Sequence, residues 1–428
     1  MPIVHVPYGT TELSLSLPDQ HDITWILPRS VAPAPNPTQV IEQAIANPIG
    51  TAHLPSRHSA TSVAVAINDK TRPVPHEYLL PPLLQHLEDK GFSPADITLM
   101  IATGSHTVMP PDEYPLILPQ TILDRYSVIC HDARDTDNLA YLGETAHGTP
   151  VYINQQYLAA DIRIVVGNIE PHQFMGFSGG VKSAAIGLSD WRTINPNHAM
   201  MTHDYARMGE YERNPMRQDV EEIGRMIGID FALNSVFNRE KEIVKAFFGQ
   251  PEAIMHVAIP HVRDTFQIPL NQPLDFLILS PGGYPKDINI YQGQKALGHA
   301  TPVMRDDSTI IWCAACPDGA GSEAYEAWIT REDIQSYEDV ITQFKQETFR
   351  IGPHKAYQIA RDGMRVNIRL KSDMPQDLAR SLLIKPIVDL QGTVDACLKQ
   401  LPADAHIGIM PHGNVTIPYL RHASPTDT

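Results

Sequence analysis

The sequence is poor in cysteine, in basic residues and in long apolar runs. Only four cysteines occur among 428 residues, too few for a disulfide framework in a chain of this length. Asp and Glu number 49 against 33 Lys and Arg, which gives a net charge of −16. This charge excludes nucleic acid and anionic membrane as main partners. No run of about 18 apolar residues is present, so no transmembrane helix is expected.

The beginning of the chain and its cysteine pair carry no sign of export or of a redox site. Residues 1–7 lack the basic and apolar segments of a secretory signal, so we expect a cytoplasmic protein. Cys313 and Cys316 have C-x-x-C spacing, but they lie in an apolar run, residues 310–316, that predicts a buried strand. Buried structural thiols are the favoured interpretation, and a metal or redox role is the alternative.

Short apolar runs alternate with amphipathic stretches along most of the chain. Strands are predicted at residues 62–67, 96–102, 125–130 and 162–167, with a helix at 76–90 whose start is broken by Pro81 and Pro82. A second rhythm begins near residue 272 with a strand at 274–280 and a helix at 288–297. The alternation predicts an α/β fold with two α/β domains and mostly parallel sheets. We place a first domain at residues 1–271 and a smaller second domain at 272–402.

Polar motifs follow four of the predicted strands at the point where each strand ends. They are Asp69 with Arg72, His106, His172, and Pro285 with Asp287. Ligands of parallel α/β sheets bind at the carboxyl ends of strands, so four such motifs indicate one active-site cleft between the domains. Taken singly, each motif has a simpler explanation, such as helix capping for Asp69 or a surface loop for His106.

A glycine-rich turn leads from the strand at 162–167 to a helix that begins near Lys182. It reads Gly176-Phe-Ser-Gly-Gly-Val-Lys-Ser183. Such a turn directs backbone N–H groups toward an anion, but Val181 stands where the triphosphate-binding loop requires glycine. Lys182 is a candidate nucleophile or charge partner. The alternative for the glycines is a plain turn before a packed helix.

Histidines and one helix face supply the remaining candidates. His172 and His198 are possible acid/base groups or metal ligands. A zinc site formed by these two with His203 is conceivable, although the spacing matches no compact zinc motif. Gln292 and Lys295 lie three residues apart, on one face of the helix predicted at 288–297; an ordinary solvated face is the alternative.

Four segments, in this order, resemble the nickel-dependent lactate racemase family. They are Asn68-Asp-Lys-Thr-Arg-Pro73, Thr103-Gly-Ser-His106, residues 167–198 and residues 282–296. The resemblance covers most of the chain and implies a racemase or epimerase acting on C2 of a 2-hydroxy acid. It implies hydride transfer through a nickel-pincer nucleotide, a nickel complex of a pyridinium bisthiocarboxylic acid mononucleotide. It also implies that residues 403–428 return to the first domain.

The resemblance assigns roles to individual residues. Lys182 would carry the cofactor covalently, and His198 would be the protein ligand to nickel. His106 and His172 would be the acid/base pair on the two faces of the reacting carbon. The other implied contacts are Arg72 to the substrate with support from Asp69, the amides of Ser178, Gly179 and Gly180 to the cofactor's phosphate, and Gln292 and Lys295 to substrate oxygens.

The partners implied are a small 2-hydroxy acid and the enzymes that build the cofactor, with no nucleic acid and no membrane. The chain departs from the lactate-type pattern around His106, which Ser105 and Thr107–Met109 flank, and it lacks a proline before Gly187. These changes suggest a longer, dicarboxylic or sugar-acid substrate. Two alternatives stay open: a divalent-metal hydrolase or lyase using the same histidines, and a non-catalytic binding protein for a small anion.

Overall fold

The structure is a computed structural model that describes residues 3–18, 23–50, 53–72, 74–350 and 352–421. Pro73 and the tail 422–428 lie outside the described residues. The strands are β1 (Ile3–Tyr8), β2 (Thr11–Ser16), β3 (Ile23–Trp25), β4 (Val63–Asn68), β5 (Ile97–Ala102), β6 (Ser127–Cys130), β7 (Leu139–Glu144), β8 (Pro150–Asn154), β9 (Ile162–Asn168), β10 (Pro171–His172), β11 (Gly176–Phe177), β12 (Phe231–Phe237), β13 (Ile243–Gly249), β14 (Gln267–Leu270), β15 (Leu274–Leu279), β16 (Met304–Cys313), β17 (Asn367–Lys371), β18 (Lys385–Pro386), β19 (Ile407–Met410) and β20 (Ile417–Leu420).

The helices alternate with these strands. They are α1 (Pro37–Ala46), α2 (His76–Asp89), α3 (Gln120–Leu123), α4 (Gln155–Ala159), α5 (Lys182–Ala185), α6 (Trp191–Ala199), α7 (Pro215–Ile227), α8 (Pro251–Phe266), α9 (Ile290–Ala300), α10 (Glu323–Ile329), α11 (Tyr337–Gln346), α12 (His354–Gly363), α13 (Gln376–Ser381) and α14 (Leu390–Leu398). The chain divides into two compact units, residues 30–265 and residues 1–29 with 266–428. We call them the continuous unit and the discontinuous unit.

The continuous unit is built on a six-stranded sheet in the order β13-β12-β9-β4-β5-β6. Its strands pair in parallel except for β12 with β13 at one edge. The apolar run of β4 is buried at Val63 through Ile67, as expected for a central strand whose two faces are both covered. This confirms the prediction of a parallel α/β sheet.

The strand order of this sheet reverses between β4 and β9. From β4 the chain proceeds outward to β5 and then β6, and it later resumes on the other side of β4 with β9 and β12. Connections therefore leave the carboxyl ends of β4 and β9 in opposite directions. Such a switch point opens a crevice at the carboxyl edge of an α/β sheet, where ligands bind.

Helix α2 is continuous through both of its prolines. The sequence placed a break at Pro81 and Pro82, but the helix extends from His76 to Asp89 and contains them. Five leucines of this helix are buried against the sheet: Leu79, Leu80, Leu83, Leu84 and Leu87. Their burial outweighs the backbone hydrogen bonds that the prolines cannot donate.

The discontinuous unit has its own six-stranded sheet, in the order β18-β17-β16-β15-β19-β3, with every pair parallel. Its order also reverses, between β15 and β19. The hairpin of β1 and β2 packs Val4, Val6 and Leu15 into a core with strands of this sheet. Two α/β units with mostly parallel sheets are thus confirmed.

The domain boundaries predicted from the sequence are corrected at both ends of the chain. Strand β3 pairs with β19, so residues 1–29 belong with 266–428 rather than with the first domain. Strand β19 lies between β15 and β3, and β20 pairs with β14. The described part of 403–428 therefore completes the discontinuous unit and does not return to the other one. All four residues of β19 are buried, which fits an interior strand.

Cys313 and Cys316 are buried, as predicted for structural thiols. Burial raises the pKa of Cys313 to about 12 and also raises the pKa of Cys316. Both thiols therefore stay protonated at neutral pH, which makes them poor nucleophiles and metal ligands. Among the described residues, no helix is both long and apolar enough to cross a membrane.

Candidate active site

Three neighbouring strands of the continuous unit end at the same edge of the sheet. Strand β4 ends at Asn68 and pairs with β5, which ends at Ala102, and with β9, which ends at Asn168. Asp69, His106 and His172 lie in the segments that follow these strands. The parallel pairing of β4 with β5 and β9 therefore brings these three motifs to one edge of the sheet.

Asp69, which is buried, forms a carboxylate–imidazole pair with the partly exposed His106. Nδ1 of His106 lies 2.5 Å from Oδ2 of Asp69, while Oδ1 of Asp69 accepts hydrogen bonds from the hydroxyl (2.6 Å) and amide (2.9 Å) of Thr71. Burial raises the pKa of Asp69, but the hydrogen bonds from His106 and Thr71 outweigh burial and lower it overall. Asp69 therefore stays ionised and holds the His106 proton on Nδ1, which leaves the lone pair on Nε2.

His172 is held in the opposite tautomer. Its Nδ1 accepts a hydrogen bond of 3.3 Å from the backbone N–H of Met175, so the proton of the neutral ring is on Nε2. The ring also makes an edge contact with Phe174, and Phe174 makes one with His198, with centroid separations of 4.7 and 5.8 Å. His172 and His198 thus both contact one aromatic ring.

His198, on helix α6, is oriented for ligation or proton acceptance through Nε2. Its Nδ1 lies 3.0 Å from the backbone oxygen of Ile194, which accepts the Nδ1 proton and leaves the lone pair on Nε2. Burial lowers the pKa of His198 to about 4, and the nearby charges of Lys182, Arg72 and His106 contribute to the decrease. The charges of these three residues thus act on His198.

Lys182 is the first residue of helix α5 and follows the glycine turn. Burial lowers its pKa well below the usual value, and the positive charges of Arg72 and Arg217 lower it further, while Glu170 opposes them. A lysine with a depressed pKa is neutral for a larger fraction of the time and is a better nucleophile. Arg72 itself is exposed, in the loop after β4.

The glycine turn is compact because its backbone requires glycine. Gly176, Gly179 and Gly180 have φ angles of +73°, +78° and +57°, in the left-handed region that favours glycine. A Cβ atom on Gly176 would lie 1.7 Å from the backbone oxygen of Glu210. Close packing therefore explains these glycines at least as well as ligand binding does.

The backbone amides of Ser178, Gly179 and Gly180 were expected to bind the cofactor's phosphate. Two of these three amides already donate hydrogen bonds to other groups of the protein. The amide of Ser178 donates to the backbone oxygen of Glu170 (2.8 Å), and the amide of Gly180 donates to Oδ1 of Asn234 (2.7 Å). The hydroxyl of Ser178 donates to the backbone oxygen of Asn168 (2.9 Å). These bonds fix the turn internally and direct its donors away from a ligand.

Asparagines at the switch point were not singled out by the sequence analysis. Asn68 accepts a hydrogen bond from Ser183 at 3.3 Å, and Asn234 holds the amide of Gly180. Asn168 is buried, and its Nδ2 has no hydrogen-bond partner among the described residues. The signal that could have found them is the appearance of asparagine at the ends of β4 and β9, where an apolar strand gains nothing from an amide.

The remaining candidates lie in the discontinuous unit. Gln292 and Lys295 are on helix α9, and Nζ of Lys295 donates to Oε1 of Gln292 at 2.7 Å, which confirms that they share one helix face. Asp287 is buried, and its Oδ2 accepts the amides of Gly9 (2.7 Å) and Ala315 (3.1 Å). The motif after β15 is therefore structural at Asp287.

No group of three or more His, Cys, Asp and Glu side chains in the described ranges is arranged to hold a metal ion. The conceived zinc site of His172, His198 and His203 is therefore not formed. A metal in this unit would need most of its ligands from an organic group. A nickel-pincer nucleotide fits that requirement, because Lys182 offers an amine of depressed pKa and His198 offers one imidazole nitrogen. Nδ2 of Asn168 is buried and has no hydrogen-bond partner among the described residues, so it offers a hydrogen-bond donor to such a nucleotide.

Family models match both parts of the chain. Residues 8–209 match the model of the lactate racemase N-terminal domain, and residues 270–417 match that of the lactate racemase C-terminal domain. The lactate racemase of Thermoanaerobacterium thermosaccharolyticum is 29% identical over 420 residues, 96% of this chain and 97% of that protein. The lactate racemase of Lactiplantibacillus plantarum is 31% identical over 291 residues, 67% of this chain and 68% of that protein.

Solved structures give the same result for the fold. The structure of the lactate racemase apoprotein from Thermoanaerobacterium thermosaccharolyticum superposes with a TM-score of 0.88 at 28% identity, covering 98% of this chain and 100% of that one. A protein from Thermotoga maritima shares the fold at 16% identity, with a TM-score of 0.61, covering 90% and 97% of the two chains.

The fold and these likenesses define a two-unit α/β isomerase of the racemase class. The two alternative functions, a metal hydrolase or lyase and a non-catalytic anion-binding protein, are set aside. The chain belongs to the lactate racemase family.

Proposed function

We propose that this racemase inverts C2 of a small 2-hydroxy acid in the continuous unit, at the carboxyl edge of β4, β5 and β9. The observation that supports the proposal most directly is the pair of Asp69 and His106, which follow β4 and β5 at the edge where β9 also ends. A guanidinium, an imidazole paired with a carboxylate, a second imidazole and the amine of Lys182 suit a substrate with a carboxylate and a hydroxyl.

Arg72 binds the substrate carboxylate. Its guanidinium is exposed in the loop after β4, and it can form two parallel hydrogen bonds with a carboxylate. The charge also holds the substrate against the field of a strongly acidic protein, whose net charge is −16. This contact orients C2 but does not take part in proton transfer.

His106 takes the proton of the substrate hydroxyl through Nε2. Asp69 keeps the other ring proton on Nδ1 and stabilises the imidazolium that forms. Removing this proton increases the electron density on C2–O and so assists departure of the C2 hydrogen as hydride. In the reverse step, the same imidazolium returns the proton.

His172 serves the opposite face of C2. In the neutral ring its amide contact with Met175 places the proton on Nε2, so His172 first donates a hydrogen bond to the substrate oxygen. A neutral imidazole is too weak an acid to give up this proton, so His172 acts as a base only after the ring proton has moved to Nδ1. An enzyme that inverts a centre must act on both faces, and with that change of tautomer His172 takes the hydroxyl proton of the opposite enantiomer, as His106 does for the first.

Lys182 and His198 hold the cofactor that the family resemblance implies. Lys182 supplies the amine for covalent attachment, and Nε2 of His198 ligates nickel. When bound, the nickel-pincer nucleotide supplies a centre that accepts hydride and returns it. Other enzymes of the cell make this cofactor.

The substrate class is a 2-hydroxy acid, and its side chain distinguishes members of the family. The relatives are named as lactate racemases, and lactate is the first substrate to test. The residues around His106 favour a longer, dicarboxylic or sugar-acid side chain as well.

The test is an isotopic one. Protein produced together with the cofactor-building enzymes is incubated in deuterated water with single enantiomers of lactate, malate and gluconate. We expect inversion of at least one of them, with the original hydrogen retained at C2. Extensive deuterium at C2 would instead indicate proton abstraction by His106 or His172, and it would overturn the hydride part of the proposal.

A further inference from the structure

Arg217, on helix α7, is fully buried directly behind the glycine turn. Its guanidinium donates to the backbone oxygens of Phe177 and Gly179, each at 3.1 Å. On its other side it contacts Oε1 of Glu221 at 2.8 Å through Nε and 2.5 Å through Nη2. Tyr211 also donates its hydroxyl to Glu221, at 2.9 Å. The guanidinium therefore ties helix α7 to the turn.

The turn that Arg217 holds is the one that positions Lys182. The backbone oxygen of Gly179 accepts the Nη2 hydrogen bond of Arg217 and also the N–H of Lys182, at 3.3 Å. Arg217 is thus separated from the Lys182 backbone by a single carbonyl oxygen. A shift of the guanidinium would move the first turn of α5.

Two glycines show how closely helix α7 approaches. A Cβ atom on Gly180 would lie 2.7 Å from Nη2 of Arg217, and one on Gly224 would lie 2.5 Å from Cβ of Val181. Gly180, in the turn, and Gly224, on α7, therefore lack side chains where the guanidinium and the helix approach. The sequence places glycine at both points of contact.

A buried ion pair is costly, and a hydrophobic contact could hold the turn instead. Replacing a buried charge pair by apolar side chains is often neutral for stability, so stability alone gives little reason for an arginine here. A cation at this position acts on its neighbours through a medium of low dielectric constant, where its field is strong. The charge of Arg217 is among those that lower the pKa of the Lys182 amine.

We propose that Arg217 is a positioning residue for Lys182, fixing the turn that carries it and acting on its amine through a buried positive charge. The inference rests on the proposed role of Lys182 as the attachment point for the cofactor. Glu221 and Tyr211 hold the guanidinium in place, so the unit consists of Arg217 with these two partners.

The charges that face Lys182 agree with this inference. Arg72 and Arg217 lower the pKa of Lys182 in addition to burial, and Glu170 raises it. Glu170 is ion-paired with Lys241, which weakens its opposing effect. Arg217 is the one of these groups that is fully buried and fixed by several hydrogen bonds.

The experiment measures the reactivity of Lys182 in protein made without the cofactor. Acetylation by acetic anhydride is followed by peptide mass spectrometry as a function of pH, with the exposed Lys385 as an internal reference. The variants are Arg217→Met with Glu221→Gln, which removes both charges together, Glu221→Gln alone, and Arg217→Lys. Circular dichroism and thermal unfolding establish that each variant is folded.

We expect the double variant to shift the titration midpoint of Lys182 upward by about one pH unit, which is about a tenfold smaller fraction of neutral amine at neutral pH. Glu221→Gln alone leaves Arg217 uncompensated and should shift the midpoint downward. Arg217→Lys keeps the charge and should keep the midpoint close to that of the parent protein. If Arg217 had a purely structural role, the double variant and Glu221→Gln alone would shift the midpoint of Lys182 in the same direction.

An unchanged Lys182 midpoint in the folded double variant would overturn the inference, as would equal shifts in that variant and in Arg217→Lys. Failure of the proposed function gives a different result. If Arg217 controls acetylation but loaded protein carries no mass adduct on Lys182, the attachment role is wrong while the control of the amine by Arg217 stands.

Discussion

Nδ1 of His106 lies 2.5 Å from Oδ2 of Asp69, and the other oxygen of the same carboxylate is occupied by Thr71. This arrangement fixes which atom of Asp69 faces the imidazole. It also fixes the imidazole's tautomer, because a carboxylate can only accept. The pair therefore offers a direct test of the catalytic role of His106.

Asp69→Asn should reverse that tautomer. Thr71 donates to Oδ1 through both its amide and its hydroxyl, so an asparagine would keep its oxygen there and turn its NH₂ group toward His106. Nδ1 must then accept, which puts the ring proton on Nε2. We expect kcat to fall by about 10²–10⁴-fold, the usual range for loss of general acid–base catalysis.

Asp161→Asn is the matched control for this change. Asp161 also accepts from the amide and hydroxyl of a threonine, Thr61, at 2.7 Å each, but it precedes β9 rather than following a strand of the site. The kcat of Asp161→Asn should equal that of the parent protein. A racemisation rate in Asp69→Asn equal to that of the parent would show that His106 is not the base.

Arg72→Ala should weaken substrate binding without unfolding the protein. A hydrogen bond to a charged group contributes about 1.5–3 kcal/mol, which corresponds to about 10- to 150-fold in kcat/KM. Arg72→Lys should recover part of the loss, since an ammonium keeps the charge but not the two-pronged contact. Arg57→Ala, which breaks an ion pair with Asp96, is the control. Unaltered KM and kcat in Arg72→Ala would show that Arg72 is only a turn residue.

His106→Ala and His172→Ala should each abolish racemisation, because inversion needs an acid/base group on both faces of C2. Each variant may be assayed for release of the 2-keto acid from one enantiomer at a time, and we expect opposite enantiomer preferences in the two variants. His203→Ala is the control, because Nδ1 of His203 accepts from the amide of Tyr205. Equal residual activity toward both enantiomers in either variant would contradict the two-face assignment.

Lys182→Ala should remove the mass adduct that we expect on loaded protein. Intact-mass measurement followed by peptide mapping locates the adduct, and Lys385→Ala should leave it in place. Protein made without the cofactor-building enzymes should show no adduct and no racemisation. Full activity in Lys182→Ala would rule out covalent attachment at this residue.

The protein should become less stable as pH falls from about 6.5 to about 4. His76, in the continuous unit, and His299, in the discontinuous one, are buried, and burial lowers the pKa of each to about 4. The unfolded chain then binds more protons than the folded one across this window, so the unfolding free energy falls with pH, by up to about 3 kcal/mol for each histidine. Urea unfolding at several pH values measures this slope. His299→Gln should flatten it, and an unchanged slope would show that His299 is protonated without cost.

Much of the fold and part of the site could be predicted because local pattern determines them. The uncharged run of β4 predicts a buried parallel strand, and the parallel pairing of β4 with β5 then brings Asp69 close to His106. The placement of β19 was predicted wrongly. Its residues, Ile407–Met410, are apolar enough for either sheet, and no neighbouring residue indicates which strands they pair with. The Gly180 amide was misread for a related reason, since its acceptor, Asn234, lies 54 residues further on.

The division of the chain has a consequence for biosynthesis. Residues 1–29 leave the ribosome first, yet β3 must wait for β19, near the other end of the chain, before it can join its sheet. Residues 30–265 contain all the strands of their own sheet. We therefore expect the continuous unit to gain protease resistance on stalled nascent chains while the N-terminal segment is still cleavable. The site around Lys182 would then form before residues 266–428 of the discontinuous unit have been synthesised.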